Sequence, residues 1–106
     1  MKIQLINASQ AWLMAEQHAK IVKQCKSITG IVYTLKIDNN SIYFTAPSRN
    51  EGKPEEISKA SFIEFYNSLN GLDEINTNTI KSRMPSGLYK KRSLLIALLN
   101  SSEIIK

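Results

Sequence analysis

The chain has little from which to build a metal centre, a disulfide or a membrane span. Among its 106 residues there is one cysteine, Cys25, and one histidine, His18. A lone cysteine forbids an internal disulfide. A structural zinc site needs several thiolate or imidazole ligands, so none is expected within one chain, and no cofactor is expected. A catalytic triad or a Cys–His pair would have to use His18. The apolar spacing puts His18 and Cys25 on one helix, two turns apart and out of hydrogen-bond reach, with the thiol packed in the core.

Glycine is scarce too. Four glycines at positions 30, 52, 71 and 87 cannot form the clustered loop that cradles a nucleotide phosphate. One nuclease-like set remains, Asp38 at a strand end followed by Glu51-Gly52-Lys53, with the residue types that hold magnesium and activate water. Glu51 and Lys53 fall in a Gly/Pro loop instead of on a second strand, which leaves the carboxylates without a rigid mount. The expectation is therefore a protein that is not an enzyme. The longest apolar run, Leu94 to Leu99, is far short of the ~20 residues of a membrane span. The first residues, Met1 to Asn7, turn polar too early for a secretory signal. Together these lead to the expectation of a soluble, cytoplasmic protein with no membrane partner.

What the sequence does have is ordinary globular material, 42% hydrophobic and 22% charged. At 12.0 kDa the expectation is one domain over residues 1–106. Asn7 followed by Gln10 has capping-box spacing, and Trp12, Ala15, Ala19, Val22 and Cys25 continue one apolar stripe, which predicts a helix from Ala8 to about Lys26. Ile31 to Ile37 and Ile42 to Thr45 are β-branched and aromatic runs on either side of Asp38-Asn39-Asn40-Ser41, the pattern of an antiparallel hairpin. Residues 47–54 read as a loop. Phe62, Phe65, Tyr66 and Leu69 predict a second helix starting at Ser58 or Ser61 and ending near Asn70, with Gly71 just beyond it. Helical periodicity alone accounts for this aromatic stripe as core.

The tail predicts a short helix near Thr77 to Arg83, a turn at Met84 to Gly87, and a last helix from about Leu88 to Asn100 with Leu88, Leu95 and Leu99 inward. Two helices across a tight turn have the outline of a helix-turn-helix, as any αα-corner does. The predicted class is α+β, with helices on one face of a short antiparallel sheet in the order αββααα. Two strands make a marginal sheet, so a third is expected from residues 2–6, from the C-terminal tail around Ile104 and Ile105, or from a partner.

Charge is the most informative feature. Residues 1–74 hold eight cations and eight acids, whereas residues 75–106 hold Lys81, Arg83, Lys90, Lys91, Arg92 and Lys106 against Glu103 alone, so the net +5 sits wholly in the last third. Cations that open a helix oppose its macrodipole, so helix stability gives Lys90, Lys91 and Arg92 no purpose. Beside them stand Tyr89 and the neutral donors Thr77, Asn78, Thr79, Ser82 and Ser86. That is the chemistry of a nucleic-acid backbone contact, with Asn78, Lys90 and Arg92 as candidates for base edges. The candidate nucleic-acid-binding residues are thus Lys81, Arg83, Tyr89, Lys90, Lys91 and Arg92. The competing expectation is an adaptor or inhibitor that lays the same basic face on an acidic protein surface, or self-associates through an open strand edge.

Overall fold

A computed structural model describes residues 6–27, 30–69, 71–72, 74–85, 87–102 and 104. Helix α1 (Ala8–Ile21) is followed by strands β1 (Gln24–Lys26), β2 (Val32–Asp38), β3 (Ser41–Thr45) and β4 (Glu55–Ser58), then helices α2 (Lys59–Ser68) and α3 (Arg92–Ser101). The strands form one antiparallel sheet in the order β1-β2-β3-β4. The α+β class and the helices-on-one-face arrangement stand as expected, with two short edge strands added.

Each element has a local cause. Asn7 Oδ1 accepts from the Gln10 N–H at 2.9 Å and the Gln10 side chain accepts from the Asn7 N–H at 3.3 Å, so two orphan donors at the start of α1 are satisfied together. Asn39 and Asn40 take left-handed conformations (φ 49° and 60°), as a two-residue hairpin turn demands. Ser58 caps α2 through Oγ, which accepts from the Ser61 N–H at 3.1 Å. The inner sheet face presents Cys25, Tyr33, Leu35, Ile42, Phe44 and Ile57, all buried, because pairing residues such as Leu35 with Phe44 and Ile42 with Ile57 keeps them in phase. Trp12 of α1 meets Phe62 of α2 edge to face at 5.5 Å. The Tyr66 hydroxyl donates to the Ile6 carbonyl at 2.9 Å and ties down the chain ahead of α1.

Three expectations need correction. The first helix does not reach Lys26. It stops at Ile21, and Lys23 adopts φ 63° with its N–H directed at the His18 carbonyl. Cys25 is therefore a strand residue, buried as expected but opposite Tyr33, and it shares no helix with His18. The added strands are Gln24–Lys26 and Glu55–Ser58; among the described residues neither Ile6 nor Ile104 joins the sheet, while residues 1–5 and Ile105 lie outside the described residues. Finally, the stretch Thr77 to Arg83 is a series of turns closing in a 3-10 turn at Lys81–Arg83, and a second 3-10 turn at Tyr89–Lys91 leads into α3. Asn76 caps the first of these turns. Its Oδ1 accepts from the N–H groups of Asn78 and Thr79, both at 2.9 Å, the bonds of a helix N-cap. The chain beyond makes 3-10-type bonds, from the Lys81 N–H to the Asn78 carbonyl and from the Arg83 N–H to the Ile80 carbonyl, and no α-helix forms there.

α3 is the centre of the core. Leu94 through Leu99 are each at most 2% exposed, so this helix is covered on every side.

Candidate nucleic-acid interface

The basic residues of the tail are placed by α2. The Arg83 guanidinium donates to the Ser68 carbonyl, 3.2 Å away at the last residue of α2. The Lys91 amine donates to the Glu56 carbonyl, 2.8 Å away and just ahead of the first turn of α2. Arg83 and Lys91 thus sit at opposite ends of a helix of ten residues, which is about 15 Å of axial rise. The cations fall in two groups, Lys81 and Arg83 near the end of α2 and Lys90, Lys91 and Arg92 near its start.

Their roles divide sharply. Lys81 and Lys90 are exposed on the two 3-10 turns. Arg83 is also exposed, with its guanidinium on the α2 terminus, where a cation complements the negative end of the helix dipole. Lys91 and Arg92 are half-buried. The Arg92 guanidinium lies 3.9 Å from the centre of the Tyr89 ring and donates through Nη1 to the Tyr89 carbonyl at 2.9 Å. Of the cations at the head of the last helix, Lys91 therefore has a tertiary partner and Arg92 a local one in Tyr89. Their charge nonetheless stays uncancelled: Lys81, Lys90, Lys91 and Arg92 form no ion pair with a carboxylate among the described residues, whereas Lys20 pairs with Glu16 and Lys53 with Glu51 elsewhere. No acid occurs between Ile75 and Ser102.

Among the neutral donors, Asn78 and Ser82 are exposed. Thr79 is spent internally, since its Oγ1 accepts from the Asn76 N–H at 3.0 Å. Ser86 lies outside the described residues. A polar notch of about 270 Å³ opens between the head of α2 and the second 3-10 turn, lined by Glu56, Ser58, Ser61, Gly87, Leu88 and Lys91. The helix-turn-helix outline does not survive: its first helix is a single 3-10 turn, and α3 has no free face to offer a groove.

Sequence reasoning missed how the sheet edges are closed. The bonds from Leu35 N–H to the Lys23 carbonyl (2.8 Å) and from Ser27 N–H to the Ile31 carbonyl (2.9 Å) turn the Gln24 carbonyl away from β2. His18 Nε2 meets it there at 2.6 Å, and because a carbonyl only accepts, Nε2 carries the proton. By the same alternation the Lys59 N–H, bonded to the Asn40 carbonyl at 2.8 Å, turns the Glu56 carbonyl outward on β4, where Lys91 meets it. Each outer strand has one outward carbonyl capped by a basic side chain. Nothing local in the sequence announces either contact.

Among the described residues there is no cluster of three or more His, Cys, Asp or Glu side chains that could hold a metal ion, and no helix long and apolar enough to cross a membrane. Glu51 of the nuclease-like set is exposed, in a left-handed conformation (φ 56°), with Lys53 3.8 Å away. The chain matches no protein-family model, no curated protein and no solved structure.

Proposed function

We propose that this chain is a non-enzymatic binding domain whose partner is nucleic acid, contacted through Lys81, Arg83, Tyr89, Lys90, Lys91 and Arg92. The observation that carries the reading is the uncancelled charge of Lys81, Lys90, Lys91 and Arg92, on a segment free of acids and divided between the two ends of α2. A polyanion with repeated phosphates matches two separated groups of cations better than one small anion does. Lys81 and Lys90 are the groups able to turn onto phosphates. Lys91, Arg92 and Arg83 add potential while holding the segment in place. Strand addition by a second copy is the weaker reading, since a basic side chain already occupies an outward carbonyl on each edge.

The test compares the native chain with a Lys81→Ala/Lys90→Ala variant on a labelled oligonucleotide, at about 50 and about 200 mM salt. Binding that weakens steeply with salt, and that is weaker and less salt-dependent in the variant, is the expected result. Equal affinity in the two proteins, or no binding by the native chain at low salt, refutes the reading.

A further inference from the structure

We infer that the free face of Tyr89 is a stacking platform for an unpaired base, so that the nucleic acid taken by this surface is single-stranded. The inference rests on the nucleic-acid reading and narrows it.

Of the eight aromatic residues in the chain, Trp12, Tyr33, Phe44, Phe62, Phe65 and Tyr66 are buried and Tyr43 is half-buried, but Tyr89 is 50% exposed. Core packing gives its ring no purpose. The ring is nevertheless held. Arg92 lies over one face at 3.9 Å and is anchored by its own bond to the Tyr89 carbonyl, while half of the residue's surface stays open to solvent. Lys91 pins the same turn to β4 through the Glu56 carbonyl. The result is an aromatic plane backed by a guanidinium, with the exposed Lys90 next to it in the chain and able to meet the phosphate of a stacked nucleotide. Sequence-tolerant binding of single strands uses this combination of aromatic face and backbone cation. A paired base already has stacking neighbours on both sides and offers no face to such a ring. Among the described residues of the basic tail the one α-helix is α3, which is buried all round over Leu94–Leu99 and has no free face to lay in a major groove.

The experiment uses the full chain and three probes at one low salt concentration: a labelled single-stranded oligothymidylate, a duplex of matched length, and heparin, a polyanion without bases. Native protein, Tyr89→Ala, Tyr89→Leu and Tyr89→Phe are compared. Tyr89→Leu keeps an apolar cover over Arg92 without a π face, and Tyr89→Phe keeps the face without the hydroxyl. The expected result is tighter binding of the single strand than of the duplex. Tyr89→Ala and Tyr89→Leu lose roughly tenfold on the single strand, Tyr89→Phe retains native affinity, and heparin binding is unchanged throughout. Equal native binding of single strand and duplex, or a loss in Tyr89→Ala that is the same on heparin as on the oligonucleotide, overturns the stacking role while leaving the nucleic-acid reading intact. Failure of the native protein to bind any of the three probes overturns both.

Discussion

Lys90 and Lys91 are neighbours in sequence and opposites in structure, so replacing each by alanine separates the stabilising cations from the binding ones. Lys91 donates to the Glu56 carbonyl at 2.8 Å and is half-buried against β4. A hydrogen bond from a charged donor contributes about 1.5–3 kcal/mol. Discounted for an amine still within reach of water, the loss in Lys91→Ala comes to about 1 kcal/mol. For a domain of this size that lowers the melting temperature by about 4 °C. Lys90 is exposed with no such bond, so Lys90→Ala stays within about 0.5 kcal/mol of native stability. Binding reverses the order. Lys90→Ala removes about one phosphate contact, and the slope of log affinity against log salt on a single strand falls by about 0.7. Thermal melts followed by circular dichroism, with salt titrations of oligonucleotide binding on the same samples, read both effects. Two variants that melt alike, or a Lys90→Ala less stable than Lys91→Ala, would refute the division of roles.

Two further predictions concern the fold. Lys23 occupies a left-handed position just past the end of α1 (φ 63°), where a side chain is strained and glycine is not; Lys23→Gly raises stability by about 1 kcal/mol in urea unfolding, and a destabilised variant would contradict this account of the helix end. Cys25 is 3% exposed, and burial pushes its thiol up from 9.0 to about 12. The unfolded thiol ionises near 9.0 and the folded one resists, so this contribution to stability is intact below that pH and is lost as pH rises toward 12, at up to about 1.4 kcal/mol per pH unit. Cys25→Ala has the shallower alkaline decline, the remainder coming from Tyr33 and Tyr66, whose hydroxyls burial also raises; identical declines in both proteins would show that the thiol is not the group responsible.

The parts of the fold legible in the sequence are those with local causes. The Asn7–Gln10 cap, the hairpin around Asn39-Asn40 and the Ser58 cap of α2 are read from neighbouring residues alone. The end of α1 was not legible, because Val22 and Cys25 keep the helical spacing and no glycine intervenes before Gly30. Lysine took the conformation that glycine usually marks. β1 spans three residues and β4 four, too few for an alternation to show, and β4 has Ile57 as its only large apolar residue. Both exist because β2 and β3 offer them edges. In the tail the cations were visible, but their division was not: Lys91 finds its partner 35 residues away and Arg83 finds Ser68 15 away. Such contacts arise from tertiary packing and leave no periodic trace. The buried state of α3 was half-visible in its unbroken apolar run, which fits a helix covered on every side better than the amphipathic recognition helix that the turn before it suggested.

The central claim is that Lys81 and Lys90 meet the phosphates of a bound single strand. Lysine acetylation of the native chain, with and without a saturating oligonucleotide and read residue by residue by mass spectrometry, addresses it directly. The account predicts that Lys81 and Lys90 lose reactivity on binding while Lys20, paired with Glu16 on α1, and Lys53 of the 47–54 loop keep theirs. Protection of Lys20 and Lys53 with Lys81 and Lys90 left reactive would contradict it.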